Sequence, residues 1–363
     1  MTSSMRVFGG PGRYLQGPGA LDTMGPWLAP LGRRAALVAD DTVLRLFGER
    51  IVAACAAAGI TCEPVRFGGE ITPAEVDRLA ALAAPLGEGF VIGCGGGRAM
   101  DAGKGVAHRL GRRVVTVPTA ASSDAPTSRI YVLYDENHRL LRTEHLPASP
   151  DVVVVDTAAV VTAPPVLFSA GIGDAVVKTF EVGQCMAAGG PNVFGARACA
   201  AAGALADLAY QVLRAHALPA LEAVRAGRVT DDVERVVEAT VLHSGLGFES
   251  GGLSICHAMT RGLSAVRGTR DALHGQQVGY ALQVQFALER RPEAFVEDVR
   301  AFLGACGLPL SLAALGLPDP ADAELRTIAE ATLTAPHARN FERPLQAGDL
   351  VAAMRAVEAR AGA

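Results

Sequence analysis

The chain has 363 residues, 50% of them hydrophobic but only 5% aromatic, with 33 basic residues against 37 acidic ones and a formal charge of −4. That length suits two domains of ordinary size, and a composition poor in aromatics favours helix packing over an aromatic-rich β-sandwich. The near-balance of charge, without a long basic run, speaks against nucleic acid or an anionic membrane as a partner. Seven scattered cysteines (55, 62, 94, 185, 199, 256 and 306) form no Cys-x-x-Cys pair. They give neither a disulfide framework nor a thiolate zinc cluster and point to a reducing cytoplasm. The opening MTSSMRVFGG has no apolar run of a signal peptide, and the apolar run Val152–Val161 is too short to span a bilayer.

From residue 34 short β-branched runs alternate with helical stretches. RAALVAD (34–40) reads as a strand and TVLRLFGERIVAACAAAG (42–59) as a helix ended by Gly59. TCEPVRF (61–67) is a second strand; TPAEVDRLAALAAPLG (72–87) is a helix with Thr72 as N-cap and Pro73 at its first position. GFVIGC (89–94), the helical AMDAGKGVAHRLG (99–111) and RRVVTVPT (112–119) continue the pattern, and 129–134 and 151–155 read as two more strands with a turn around Asp135–Asn137. Such alternation implies βαβ units and a parallel sheet. After Pro164–Pro165 the character changes: 195–217, 231–246, 275–290 and 321–333 read as helices, with no clear strand. The expected organisation is therefore an α/β nucleotide-binding domain over 1–163 and an all-α domain over 164–363.

In VIGCGGGRAMDAGKG, Gly93, Gly95, Gly96 and Gly97 lie between a strand and a helix. Glycines there let backbone approach a pyrophosphate, whose charge the helix N-terminus complements. The pattern is not G-x-G-x-x-G, and a tight strand–helix turn without a ligand fits the same residues. Asp40 and Asp41 end the first strand of the alternation; a carboxylate there suits ribose hydroxyls and disfavours NADP through its 2′-phosphate. Asp41 also fits the N-cap of the next helix.

The helical half holds Asp174 in AGIGDAVVKTFE, His257 after a Gly–Gly pair, and His274 before Gly275 at the start of a helix. One carboxylate and two imidazoles leave an open position on Zn²⁺ and also suit Fe²⁺. Their spacing forms no local motif, and histidines hydrogen-bonded in the core, with a surface ion pair between Asp174 and Lys178 at i, i+4, describe the same residues.

The chain resembles the glycerol dehydrogenase branch of the metal-containing (type III) alcohol dehydrogenases at GRYLQGPGAL (12–21), GCGGGRAMDAGK (93–104), VPTAASSDAPTS (117–128), AGIGDA (170–175), GLGFESGGL with its following His257, and DALHG (271–275). The likeness covers nearly the whole chain. It implies the dehydroquinate synthase-like, iron-containing alcohol dehydrogenase fold, with a Rossmann-like domain and a helical one. It implies a metal held by Asp174, His257 and His274, with Zn²⁺ ahead of Fe²⁺. It also implies NAD contacts from Asp40, the glycine loop Gly95, Gly96 and Gly97, Asp101, Thr119, Ser122, Ser128 and Tyr134. Asp124 would contact a substrate hydroxyl. Where the family's loop usually continues with Lys, this chain has Arg98, which keeps the charge and changes its geometry. Arg129, Arg139, Arg142, His138 and His145 make the following segment more basic than a plain glycerol enzyme suggests; a solvated hairpin or a different substrate would account for it.

The expected chemistry is hydride transfer between a secondary alcohol and NAD, with the metal polarising the substrate oxygen and Asp124 favouring vicinal diols or cyclitols. The resemblance also suggests a homo-oligomer. Three other readings share the architecture: a dehydroquinate-synthase-like cyclase, which needs basic groups for a phosphate; a glycerol-1-phosphate dehydrogenase; and an NAD-binding protein that has lost catalysis.

Overall fold

The computed structural model describes residues 4–136 and 140–361, which divide into two compact units. Asn137, His138 and Arg139, part of the turn and basic segment noted above, lie outside the described residues.

The α/β unit comprises Gly9–Pro164 and Ala223–Gly245. Its strands are β1 (Tyr14–Gly17), β2 (Arg34–Ala39), β3 (Thr61–Arg66), β4 (Phe90–Gly95), β5 (Arg113–Pro118), β6 (Ile130–Tyr134), β7 (Leu140–His145) and β8 (Val152–Asp156). Six of them form one parallel sheet in the order β1-β8-β5-β4-β2-β3. Every residue of β4 and β8 is buried, as strands covered on both faces require. One face packs Leu21, Leu28, Ile51 and Phe47, the other Val76, Leu79, Val106 and Tyr131. β6 does not join this sheet; it pairs antiparallel with β7. The β7 residues are mostly exposed and Arg142 pairs with Glu144 at 2.6 Å, so this part of the basic segment is a solvated hairpin.

The contiguous division 1–163 and 164–363 needs correction. The α/β unit does reach Pro164, but the stretch ending at Phe8 belongs with the helices and Ala223–Gly245 returns to the sheet. The helix Asp231–Glu238 explains the return: Val233, Val236 and Val237 are fully buried, and Glu234 accepts hydrogen bonds from Gln16 of β1 and from Thr157.

The helical unit contains the stretch ending at Phe8, Pro165–Glu222 and everything from Leu246 onward. Among its described residues there is no strand, only an isolated bridge between Arg6 and Arg197. The helix Ile255–Ala265 packs against Asp322–Leu333 and His274–Glu289, and the last of these also packs on Pro165–Val176. The helix expected over 195–217 begins at Ala200 and runs to Arg225. That expected over 231–246 is interrupted by a π-turn at Ala239–His243.

Candidate functional site

In the α/β unit, β4 ends at Gly95, whose φ of 136° suits glycine, and Gly96 caps the helix Gly97–Leu110 in an extended conformation. A Cβ on Gly103 would stand 2.5 Å from the Cα of Gly93, so this pair lets helix and strand lie in contact. A Cβ on Gly96 or Gly97 would meet nothing within 4 Å. The tight-turn reading therefore accounts for Gly93, Gly95 and Gly103 but leaves Gly96 and Gly97 without a packing reason. They leave an open approach to the first N–H groups of a 14-residue helix, which lack intrahelical acceptors and complement an anion.

Around this loop the predicted residues separate into two groups. Thr119 donates its N–H to the Gly95 carbonyl at 3.1 Å, and Arg98 is exposed with Glu70 at 3.5 Å. Ser122 is half-buried in the loop that follows β5. Asp101, Ser128 and Tyr134 instead hold structure. Asp101 accepts from Lys104 at 3.2 Å and from the Val132 N–H at 3.0 Å, while Lys104 donates to the carbonyls of Ala125 and Ile130. Burial raises the Asp101 pKa, with Lys104 opposing it. Ser128 accepts from the Ile130 N–H, and Tyr134 packs beside the second core face. Asp40, rather than Asp41, is the helix N-cap, accepting from the Val43 N–H at 2.9 Å; Asp41 is exposed and pairs with Arg66. The backbone decides between the two, because Asp40 alone has the extended φ/ψ that aims a side chain at the third N–H.

Asp124 is buried, and its Oδ2 accepts from the Ser244 hydroxyl at 2.7 Å. Its side chain does not cap the turn Ala125–Thr127; its carbonyl serves Thr127 instead. No motif in the sequence marks Ser244, which directly precedes the block GLGFESGGL beginning at Gly245.

In the helical unit, Asp174, His257 and His274 each bring one ligand atom within 4.8 Å of the others, a spacing that could hold a metal ion. Asp174 Oδ1 lies 3.2 Å from His257 Nε2 and 3.6 Å from His274 Nε2. Asp174 is 1% exposed, whereas the His274 side chain is 47% exposed and gives the group an open side. His257 is oriented from behind: its Nδ1 meets Glu181 Oε2, and Glu181 Oε1 accepts the N–H groups of His257 and Ser254, both at 2.9 Å. This fixes Nε2 as the nitrogen that faces Asp174 and His274. Burial acts to raise the pKa values of both carboxylates. Lys178, with His257 and His274 beside it, holds Asp174 well below its usual range. His257, aided by Lys178, holds Glu181 at about 2. One ionised carboxylate, Asp174, and two imidazoles, with Glu181 behind His257, form a set of donors that fits a borderline divalent cation such as Zn²⁺ or Fe²⁺.

Asp174, Lys178 and Glu181 are spaced i, i+4 and i+7, the signal by which Glu181 could have been found, although a turn at Val177 parts the helix Pro165–Val176 from Lys178–Ala187. The Asp174–Lys178 pair expected on the surface is buried instead, with Nζ 2.8 Å from Oδ1 and exposures of 0% and 1%. Glu181→Gln keeps an acceptor for the two N–H groups but removes the charge behind His257. It is expected to lower divalent-metal affinity by about 10–100-fold, measured by calorimetric titration of the metal-stripped protein; unchanged affinity would show that Glu181 serves folding alone.

Residues 11–157 match the family described as iron-containing alcohol dehydrogenase. The chain is 38% identical over 326 residues to a glycerol dehydrogenase of Escherichia coli, covering 90% of this chain and 89% of that protein. It is equally 38% identical over 325 residues to a glycolaldehyde reductase of Halobacterium salinarum, with 90% and 89% covered. The crystal structure of glycerol dehydrogenase from Schizosaccharomyces pombe superposes with a TM-score of 0.96 at 32% identity, covering 99% of this chain and 92% of that one.

Proposed function

This chain belongs to the iron-containing alcohol dehydrogenase family, alongside the glycerol dehydrogenases, and from that membership we propose that it oxidises small vicinal diols or cyclitols, or reduces the matching ketones, with NAD and a divalent metal. It is an oxidoreductase acting on CH–OH groups. The observation that carries the reading is the convergence of Asp174, His257 and His274 from three separate helices, buried at the carboxylate and open at His274. When bound, a divalent cation there supplies Lewis-acid polarisation of a substrate oxygen, and NAD supplies the hydride acceptor.

The chain's own residues do the rest. Asp174 contributes the charge of the metal site; His257, held by Glu181, and His274 contribute neutral nitrogen ligands. Gly95, Gly96 and Gly97 admit the cofactor's pyrophosphate to the helix N-terminus, with Arg98, Thr119 and Ser122 beside it. Asp40 faces the adenosine ribose. Asp101, Ser128 and Tyr134 complete the cofactor region chiefly by holding its backbone in place. Zn²⁺ is the first choice of metal and Fe²⁺ the second. A cytoplasmic homo-oligomer completes the proposal; among the described residues no helix is long and apolar enough to cross a membrane.

Asp124, positioned by Ser244, is an acceptor for a neutral hydroxyl and repels a phosphate ester, which favours an unphosphorylated substrate. The two relatives named above act on compounds with vicinal oxygens, glycerol and glycolaldehyde, and one acceptor carboxylate suits both. The direct test is an NADH-coupled screen of diols, cyclitols, glycolaldehyde and their phosphate esters with Zn²⁺-loaded enzyme. Asp124→Asn should then lower kcat/KM on a vicinal diol by about 1–3 kcal/mol, and on a matched mono-alcohol much less. An equal fall on both would make Asp124 structural, and a preference for the phosphate ester would sink the substrate class.

A further inference from the structure

Lys178 is one of only two lysines in the chain and is fully buried among the candidate ligands. Its Nζ lies 2.8 Å from Asp174 Oδ1 and 2.8 Å from His257 Nε2, the two atoms of the triad that are most deeply enclosed. The imidazole has two ring nitrogens, and Nδ1 is taken by Glu181. Nε2 therefore has a single lone pair to offer. At 2.8 Å one proton lies between Nε2 and Nζ, and while it does so that lone pair is not available to a metal. Asp174 Oδ1 has two lone pairs and can serve both partners.

We infer that Lys178 competes with the metal for His257 and sets how tightly the site holds a divalent cation, a conclusion that rests on the metal reading of Asp174, His257 and His274 given above. A divalent ion can occupy the triad only when Nζ leaves Nε2. The side chain cannot withdraw into solvent, since it is wholly enclosed, but the Phe248 ring centroid lies 5.3 Å from Nζ and offers a face on which a displaced ammonium is tolerated. Even displaced, the ammonium stays close to the ion and partly cancels the attraction of Asp174 and Glu181. The same arrangement keeps the site assembled when the metal is stripped: Lys178 bridges Asp174 and His257, so two buried acceptors that would otherwise face each other are joined by a cationic donor.

The test uses the full chain, stripped of metal and titrated with Zn²⁺ by calorimetry, with thermal melting followed with and without Zn²⁺. Lys178→Met keeps much of the side-chain volume and removes the charge. It is expected to bind Zn²⁺ at least about tenfold more tightly than the wild type and to gain more in Tm on adding Zn²⁺, because its metal-free form has lost the bridge. Equal or weaker Zn²⁺ binding by a folded Lys178→Met protein would overturn the inference and make Lys178 a support for Asp174. If neither protein binds Zn²⁺ at the triad, the metal reading fails and this inference falls with it. Should the variant not fold, a crystal structure of the wild type with Zn²⁺ decides. Nζ beyond hydrogen-bond distance of His257 Nε2 supports the competition, whereas an ion on all three ligands with Nζ still at that nitrogen overturns it.

Discussion

His257→Ala is expected to give a folded protein that has lost its metal and nearly all turnover. The substitution removes one of three ligand atoms and the only one whose ring is locked from behind, by Glu181. A metal's contribution of several kcal/mol to transition-state stabilisation corresponds to a fall in kcat/KM on the order of 10³. The fold should survive, because Glu181 keeps the N–H groups of residue 257 and Ser254 as donors and the carboxylate is not left bare. Metal analysis of the purified variant, with a melting curve beside it, checks both halves. Full occupancy with normal turnover would remove the proposed site, and an unfolded variant would show that His257 holds the core.

The parallel sheet was legible because its central strands are covered on both faces. β4, β5 and β8 read as largely apolar runs, and the helix Pro73–Ala83 that leads into β4 announces itself through its cap Thr72. β1 and β7 carry no such signal. Tyr14–Gly17 is four half-buried residues ending in glycine, and Leu140–His145 is almost wholly exposed, so neither shows a period of two with one face apolar. The discontinuous division was hidden for a different reason. Val233, Val236 and Val237 mark an amphipathic helix, but periodicity states only that one face is buried, not which partner buries it.

The candidate metal ligands were named by family resemblance, and their spacing explains why nothing else could name them. His257 lies 83 residues after Asp174, so no helical or strand repeat relates them. By contrast, Lys178 and Glu181 follow Asp174 at i+4 and i+7, and carrying the Asp174–Lys178 spacing on by one more step would have revealed Glu181. Asp40 and Asp41 could not be separated by sequence, since either carboxylate can cap; the turn from extended to helical dihedrals occurs at Asp40, and that assigns the cap.

Gly275→Ala is expected to destabilise the helical unit and loosen the metal site together, because one glycine contact sets both. A Cβ at Gly275 would lie 2.9 Å from the Cα of Ala170 and closer still to its carbonyl carbon and oxygen, all backbone atoms that no rotamer change can move. The contact is reciprocal: a Cβ on Gly173 would run into the carbonyl oxygen of Gly275. Gly173 precedes Asp174 and Gly275 follows His274, so this close approach of Pro165–Val176 and His274–Glu289 is what brings a candidate ligand of one helix to a candidate ligand of the other. Alanine at 275 must push the helices apart, at a cost of roughly 1–3 kcal/mol or more for overpacking, and should lower Tm by several degrees. Zn²⁺ affinity should fall with it as His274 moves away from Asp174. Gly279→Ala, one turn further along the same helix, is the control. Its Cβ would meet only Leu308 methyls at 3.8 and 4.0 Å, and alanine is the better helix former by about 1 kcal/mol. Gly279→Ala should therefore match or exceed the wild type in Tm and leave Zn²⁺ binding unchanged. If Gly275→Ala keeps both the Tm and the metal affinity of the wild type, the helix contact is not what spaces the ligands. If it loses Tm but binds Zn²⁺ normally, the contact matters to folding and the ligand geometry is set elsewhere.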